Sequence, residues 1–326
     1  MRAVLCKELG MPEALVVEEV SSPKADKGQV LISVKACGVN FPDTLIIQGK
    51  YQFKPELPFS PGGEVAGVIK SVGPGVDSVA VGDRVIAFST WGGFAEELVV
   101  DSSRLVKISD QMDFQTASAF ILTYGTSYHA LKDRAQLQSG ETLLVLGASG
   151  GVGLAAIQLG KSLGATVIAA ASTPEKLGVC EENGADHIIN YSKEDLRARV
   201  KEITEGKGVD VVYDPVGGAL SEKALRDMSW RGRFLVVGFA VGDIPRAPLN
   251  IPLLKGCSIV GVFWGEFTKR EPSLNAQNNS ELMELFDRGE VKPHIHKVYP
   301  LEDASEALND LMEKKVSGKV VLSTEK

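Results

Sequence analysis

Hydrophobic residues along this chain follow two rhythms. Up to about residue 120, short apolar and β-branched runs at Ala14–Val20, Gln29–Ala36, Val65–Gly73, Gly82–Ala87 and Phe94–Val100 are separated by Pro and Gly. That pattern predicts a compact β-rich domain. From about Phe114 the spacing becomes helical, through Ala117–Leu131, and strand-like runs then alternate with helix-like ones. Predicted strands fall at Leu143–Leu146, Thr166–Ala171, Asp186–Tyr191, Val209–Asp214, Gly232–Gly238 and Ser258–Phe263, with helices at Asp195–Glu205 and Ser221–Met228 among them. Such alternation predicts an α/β fold with a doubly wound parallel sheet. The tail reads as two amphipathic helices, Glu281–Asp287 and Leu301–Lys314, and a last strand at Gly318–Leu322.

One stretch carries candidate chemistry. The apolar run 143–146 passes directly into Gly147-Ala148-Ser149-Gly150-Gly151-Val152-Gly153, and a helical pattern follows. The first turn of a helix leaves backbone N–H groups unpaired at the positive end of its dipole. A pyrophosphate binds there through backbone alone if no side chain blocks it, and Gly150, Gly151 and Gly153 supply that clearance. Strand, glycine turn, helix and second strand together predict dinucleotide binding. A phosphate-loop reading of Gly160-Lys161-Ser162 fails because Ala155 stands where the leading glycine is required.

Composition narrows the class. The chain has 326 residues, 44% hydrophobic and 24% charged, with a net charge of −7. It is long enough for two cores, and its negative charge argues against non-specific attraction to nucleic acid or anionic membrane. No apolar run is long enough to span a bilayer, and the N-terminus lacks the apolar core of a signal peptide. Cys6, Cys37, Cys180 and Cys257 are scattered, which points to reduced thiols in a cytoplasmic protein. His294 and His296 form an isolated H-x-H pair, which is weak evidence for a metal.

Five segments in order resemble the medium-chain dehydrogenase/reductase superfamily, and within it the zinc-free quinone oxidoreductase group that includes zeta-crystallin. They are Gly38-Val39-Asn40-Phe41-Pro42-Asp43, Pro61-Gly62-Gly63-Glu64-Val65-Ala66-Gly67, Val81-Gly82-Asp83-Arg84-Val85, the Ser149–Gly153 turn, and Asp214-Pro215-Val216-Gly217-Gly218. The resemblance implies a GroES-like catalytic domain split between residues 1–122 and 266–326, with a Rossmann NADPH-binding domain, residues 123–265, inserted between them. It also implies a homodimer through Ser258–Phe263. In zinc alcohol dehydrogenases a Cys stands at the position of Asn40, a His at that of Gly63, and a third ligand near Ser118. Asn and Gly cannot build such a site, so no metal is expected.

The expected cofactor is NADPH. An NAD site places an acid at the end of the second strand to hold the ribose 2′-hydroxyl. Here that strand ends in Ala170-Ala171-Ser172-Thr173, with Lys176 just beyond. By resemblance Lys176 and the Tyr191 of Ile-Asn-Tyr contact a 2′-phosphate, with Ser172 adding a hydroxyl; the alternative is that Lys176 is a solvated helix residue. Gly150, Gly151, Val152 and Gly153 would hold the pyrophosphate, and Gly238, Phe239 and Phe263 lie at strand ends on the cofactor side. Without metal or flavin, hydride must go to an acceptor already electrophilic, such as a quinone or an enone. By resemblance Asn40 sits near the nicotinamide, where its amide can orient substrate. Tyr51 matches a pocket tyrosine that donates a proton in related enoyl reductases, and Thr126 reaches the carboxamide or pocket. An enoyl-thioester reductase, or a non-catalytic NADPH-binding or RNA-binding protein of crystallin type, remains an alternative. Tyr128 and Lys132 mimic the Tyr-x-x-x-Lys pair of short-chain dehydrogenases, but they precede the glycine turn and read as ordinary helix.

Overall fold

The computed structural model describes residues 1–325 and divides the chain into two compact units. Met1–Leu122 forms the first together with the segment from Ile295 onward, and Thr123–His294 forms the second.

The first unit begins with paired strands β1 (Arg2–Leu5) and β2 (Val16–Glu19). Its main sheet is built from β3 (Gln29–Val39), β4 (Glu64–Val72), β5 (Arg84–Phe88), β6 (Glu97–Asp101) and β7 (Leu105–Lys107). The long strand β3 pairs with both β4 and β6, all antiparallel. Its β-branched residues Val30, Ile32 and Val34 anchor a core that also takes in Tyr299, Leu308 and Leu322 from the returning segment. Between β3 and β4 lies a short helix, α1 (Phe41–Ile46), which Asn40 precedes and Pro42 starts. The helix α2 (Phe114–Ser118) follows the sheet, and α3 (Ile121–Tyr128) carries the chain over the boundary into the second unit.

The second unit carries six parallel strands: β8 (Thr142–Leu146), β9 (Thr166–Ala171), β10 (His187–Asn190), β11 (Val209–Asp214), β12 (Met228–Val236) and β13 (Ser258–Gly261). Their order is β10-β9-β8-β11-β12-β13, that of a dinucleotide-binding doubly wound sheet. Leu143, Leu144, Val145 and Leu146 are all fully buried. Successive strand residues face opposite sides, so both faces of the sheet are covered, as a parallel sheet requires. The connecting helices are α4 (Gly151–Ser162), α5 (Pro174–Glu182), α6 (Leu196–Ile203), α7 (Gly218–Arg226) and α8 (Asn250–Lys255). After β13 come α9 (Trp264–Arg270) and α10 (Pro272–Asp287). The chain then returns to the first unit as β14 (Ile295–Pro300), α11 (Ala304–Met312) and β15 (Lys319–Ser323), with β15 antiparallel to β3.

Three sequence expectations change. The expected boundary at 265/266 moves to 294/295, because α9 and α10 pack on the inserted unit. Trp264 lies against Gly125, the His129 ring stacks on Phe267 at 3.8 Å, and the Tyr128 hydroxyl donates to Glu281 at 2.6 Å. The helix expected over 117–131 is broken at residues 119–120, where Glu64 reaches across to accept from the Leu122 N–H (2.8 Å) and so caps a new helix. Beyond Tyr128 the chain widens into a π turn, with Ala135 N–H bonded to the Ala130 carbonyl. The last strand of the inserted sheet stops at Gly261, not Phe263, because Phe263 turns to precede α9.

Candidate active site

In the second unit the predicted cofactor residues gather at the carboxyl ends of the strands. Gly150 precedes α4, whose first-turn N–H groups at Gly151, Val152 and Gly153 have no acceptor within the helix. A Cβ on Gly153 would lie 2.6 Å from the Ala148 carbonyl and 2.7 Å from that of Gly147. Gly153 therefore serves close packing of the helix on the turn. The turn itself is pinned from below, since the Ser127 hydroxyl donates to the Val152 carbonyl (2.9 Å) and pairs with the Tyr213 hydroxyl (2.9 Å).

At the ends of β9 and β10, Ser172 and Tyr191 are hydrogen-bonding neighbours, and burial raises the Tyr191 phenol above its ordinary pKa. Lys176 sits in the first turn of α5, its N–H bonded to the Thr173 hydroxyl at 3.3 Å. Lys193, which sequence reasoning passed over, follows β10, and its charge reaches Glu175 in that same turn. At the end of β11 the Asp214 carboxylate accepts from Val216 N–H (2.8 Å), Gly217 N–H (3.0 Å) and the Ser221 hydroxyl. This holds the Asp-Pro-Val-Gly-Gly loop, in which Gly217 and Gly218 both have positive φ. Gly238 and Phe239 lie against this loop: Gly238 N–H bonds the Asp214 carbonyl at 3.3 Å, and a Cβ on Gly217 would meet the Phe239 ring at 3.0 Å. Phe239 and Phe263 are both exposed, and Thr126 in α3 is half-buried.

In the first unit the register of three strands gathers a buried polar cluster. Gly38 on β3 faces Glu64 on β4, and Val39 faces Val320 on β15, so Asn40, Glu64 and Lys319 converge. Their exposures are 6%, 0% and 5%, with Asp43 at 3%. The Lys319 ammonium donates to the Asn40 amide oxygen, to Glu64 Oε2 (3.1 Å) and to the Val39 carbonyl (3.2 Å). Asn40 Nδ2 donates to Glu64 Oε2 (3.1 Å) and the Gly38 carbonyl (3.2 Å). The chemistry permits no other orientation, because an ammonium only donates and a carboxylate only accepts. Both amide N–H groups thus face inward.

The Asp43 carboxylate accepts from Asn40 N–H at 2.8 Å and from the Gly62 N–H. Burial pushes its pKa up to about 7. Burial also raises the Cys37 thiol well above its usual value, and the charges of Asp43 and Glu64 add to this. The Tyr51 phenol is raised by burial and then by the charge of Asp43. Sequence reading missed Asp43, Glu64 and Lys319 as a unit, since each lies in a separate segment.

The donors at the zinc positions are poor. The Asn40 amide is fully engaged, a Cβ at Gly63 would meet the Ser89 carbonyl at 2.6 Å, and the Ser118 hydroxyl donates to Gln115 in its own helix. Among the described residues no group of three or more His, Cys, Asp or Glu is placed to hold a metal ion. Tyr128 and Lys132 both turn to Glu281, which occupies the pair that mimics a short-chain dehydrogenase.

A GroES-like unit and an inserted six-stranded dinucleotide sheet define a medium-chain dehydrogenase/reductase. Residues 26–110 match the alcohol dehydrogenase GroES-like domain, and residues 151–280 match the zinc-binding dehydrogenase family. Over 99% of its length the chain is 41% identical to a quinone oxidoreductase-like protein 2 homolog of Nematostella vectensis, covering 89% of that protein. It is 37% identical to the quinone oxidoreductase of Homo sapiens, covering 99% of this chain and 97% of that one. Among solved structures, Escherichia coli quinone oxidoreductase complexed with NADPH superposes with a TM-score of 0.93 at 30% identity, over 99% of this chain and all (100%) of that one. A mycobacterial structure complexed with NADPH gives 0.92 at 33% identity, again over 99% and 100%. The chain belongs to the quinone oxidoreductase family.

Proposed function

We propose that this protein is an NADPH-dependent, metal-independent reductase that transfers hydride to quinones or activated alkenes. The observation that carries the reading is the strand-end cluster of the second unit. There the unpaired N–H groups of α4 suit a pyrophosphate, while Ser172, Lys176 and Tyr191 stand where a 2′-phosphate would lie and no acid takes a 2′-hydroxyl. The NADPH complexes of the Escherichia coli and mycobacterial neighbours support the same choice.

NADPH supplies the hydride; the chain supplies everything else. Gly151, Val152 and Gly153 present N–H groups to the pyrophosphate, and Lys176 and Tyr191 discriminate the phosphate. Phe239 would cover the nicotinamide side, Phe263 would add apolar contact, and Thr126 would take the carboxamide. Within the first unit Asn40 is held rigid by Lys319 and Glu64, and Tyr51 is the proton donor for the reduced acceptor. Exclusion of water and fixed orientation are the main sources of rate in such a site.

The same reading makes the protein a homodimer through β13. That strand is the open edge of its sheet, and Ile259 and Phe263 are 41% and 54% exposed, with Leu253 on nearby α8 at 80%. Replacing Ile259 by Lys is expected to halve the mass seen by light scattering; an unchanged mass removes this interface. Among the described residues no helix is long and apolar enough to cross a membrane. The four free cysteines, all buried, support a place in the reducing cytoplasm.

The deciding experiment is NADPH oxidation by chelator-treated protein with a benzoquinone, an alkenal and an enoyl thioester, each repeated with NADH. Turnover that prefers NADPH is expected. Preference for the thioester selects the enoyl-thioester reductase, and tight NADPH binding with no turnover on any acceptor selects the non-catalytic alternative.

A further inference from the structure

The buried cluster of the first unit holds two carboxylates, Asp43 and Glu64, against one ammonium, Lys319. All three are nearly sealed from water. Glu64 has the ion pair with Lys319 and accepts from two further N–H groups, whereas Asp43 accepts only from the backbone N–H groups of Asn40 and Gly62. Burying both carboxylates ionised leaves one negative charge without a counter-ion, which the interior resists by keeping a proton. Asp43, the carboxyl without a cationic partner, is its place.

Resting on the reductase reading, we propose that Asp43 is a positioning residue for proton delivery, and that its ionisation controls whether the Tyr51 hydroxyl gives up its proton to the reduced acceptor. Hydride adds to the acceptor and leaves an enolate or quinol oxyanion. The Tyr51 O–H bond then breaks, its electron pair stays on the phenolate oxygen, and the new bond forms at the acceptor. Water reprotonates the phenolate, so no further reagent is needed. With Asp43 neutral, the phenolate develops beside an uncharged group. With Asp43 ionised, it develops beside a like charge and the step is slowed. The Lys50 N–H bonds the Leu45 carbonyl at 2.9 Å, so the chain turns back after α1 and Tyr51 packs against the core that holds Ile46 and Ile47 of that turn. There the Asp43 charge acts on the Tyr51 hydroxyl, and its pKa of about 7 places the change near neutrality.

The other groups around Asp43 set the position of this switch. Lys319 on β15 favours its ionised form and Glu64 on β4 opposes it. Cys37 on β3 is itself held neutral, and Tyr51 is the group acted upon.

The test compares kcat with NADPH and an enone from about pH 6 to about pH 9 in the wild type, Asp43→Asn, Tyr51→Phe and the double variant. The asparagine keeps the acceptor for Asn40 N–H and mimics the neutral acid. The wild-type rate is expected to fall about three-fold to ten-fold across the titration, because a phenol beside a like charge is a weaker acid. Asp43→Asn is expected to stay flat at the upper plateau, and the double variant to match Tyr51→Phe. A retained limb in Asp43→Asn overturns the proposal, as does an equal loss at every pH. If Asp43→Asn does not fold, Glu64→Gln gives the second reading, because removal of that charge must move the limb to lower pH. A readout without turnover is the ultraviolet ionisation of Tyr51 in the cofactor-free protein, taken as wild type minus Tyr51→Phe. It must move to lower pH in Asp43→Asn. A protein that binds NADPH but reduces nothing fails the reductase reading; one that turns over with an unaltered limb in Asp43→Asn fails this inference alone.

Discussion

Replacing Lys319 by Met tests the buried cluster most directly. The substitution keeps an unbranched side chain in the strand and removes the ammonium. Glu64, fully buried, then keeps only the N–H groups of Leu122 and Asn40, and the Asn40 amide oxygen and Val39 carbonyl lose their donor. Breaking a buried ion pair by removing one partner costs about 3–5 kcal/mol. At roughly 2–4 °C per kcal/mol for a unit of this size, Tm should fall by about 6–20 °C in calorimetry. The second half of the experiment is Lys319→Met with Glu64→Gln. The introduced amide can still accept from Leu122 and can donate to the Asn40 oxygen, so no buried charge is left. The double variant should be more stable than the sum of the single losses by about 2 kcal/mol or more. A loss below about 1 kcal/mol in Lys319→Met, or strict additivity in the double variant, would show that the pair is not the electrostatic centre of the cluster.

Lys176→Ala should weaken NADPH about ten-fold or more while leaving NADH nearly unchanged, through loss of a charge-assisted contact to the 2′-phosphate; equal losses for both, measured by fluorescence titration, would end the phosphate assignment. Stability should also depend on Asp43: its pKa is raised from 3.8 to about 7 on folding, so the native state binds the extra proton. The contribution is complete below the unfolded value and is lost as pH rises through about 7. It amounts to at most on the order of 4 kcal/mol, from roughly three pH units at about 1.4 kcal/mol each. Urea denaturation across this range should show stability falling with pH in the wild type and a flatter slope in Asp43→Asn; identical slopes would refute the buried-acid description.

Local pattern was enough to identify most of the second unit. The 143–146 run, the glycine turn and the alternation that follows are short-range signals, because a strand buried on both faces must be apolar throughout and a tight turn into a helix needs glycine. The lack of an acid within the strand end Ala170-Ala171-Ser172-Thr173, with Lys176 just beyond, is likewise visible in one dimension. The negative net charge, and Asn40 and Gly63 at the positions where zinc alcohol dehydrogenases carry ligands, needed no coordinates.

Tertiary structure decided the rest. The helices after Phe263 show the same amphipathic spacing whichever core they meet, so only the contacts of Trp264, Phe267 and Glu281 with the inserted unit place the boundary at 294. Lys319 lies in an ordinary strand-like run and Asp43 in an ordinary helix start, and nothing nearby in sequence marks either as buried. Asn40, Glu64 and Lys319 come from segments far apart, and their meeting depends on Gly38 facing Glu64 and Val39 facing Val320. A slip of one residue in either pairing would turn these side chains to the opposite face of the sheet. Strand register, a long-range property set by packing, therefore determines the charge balance of the site.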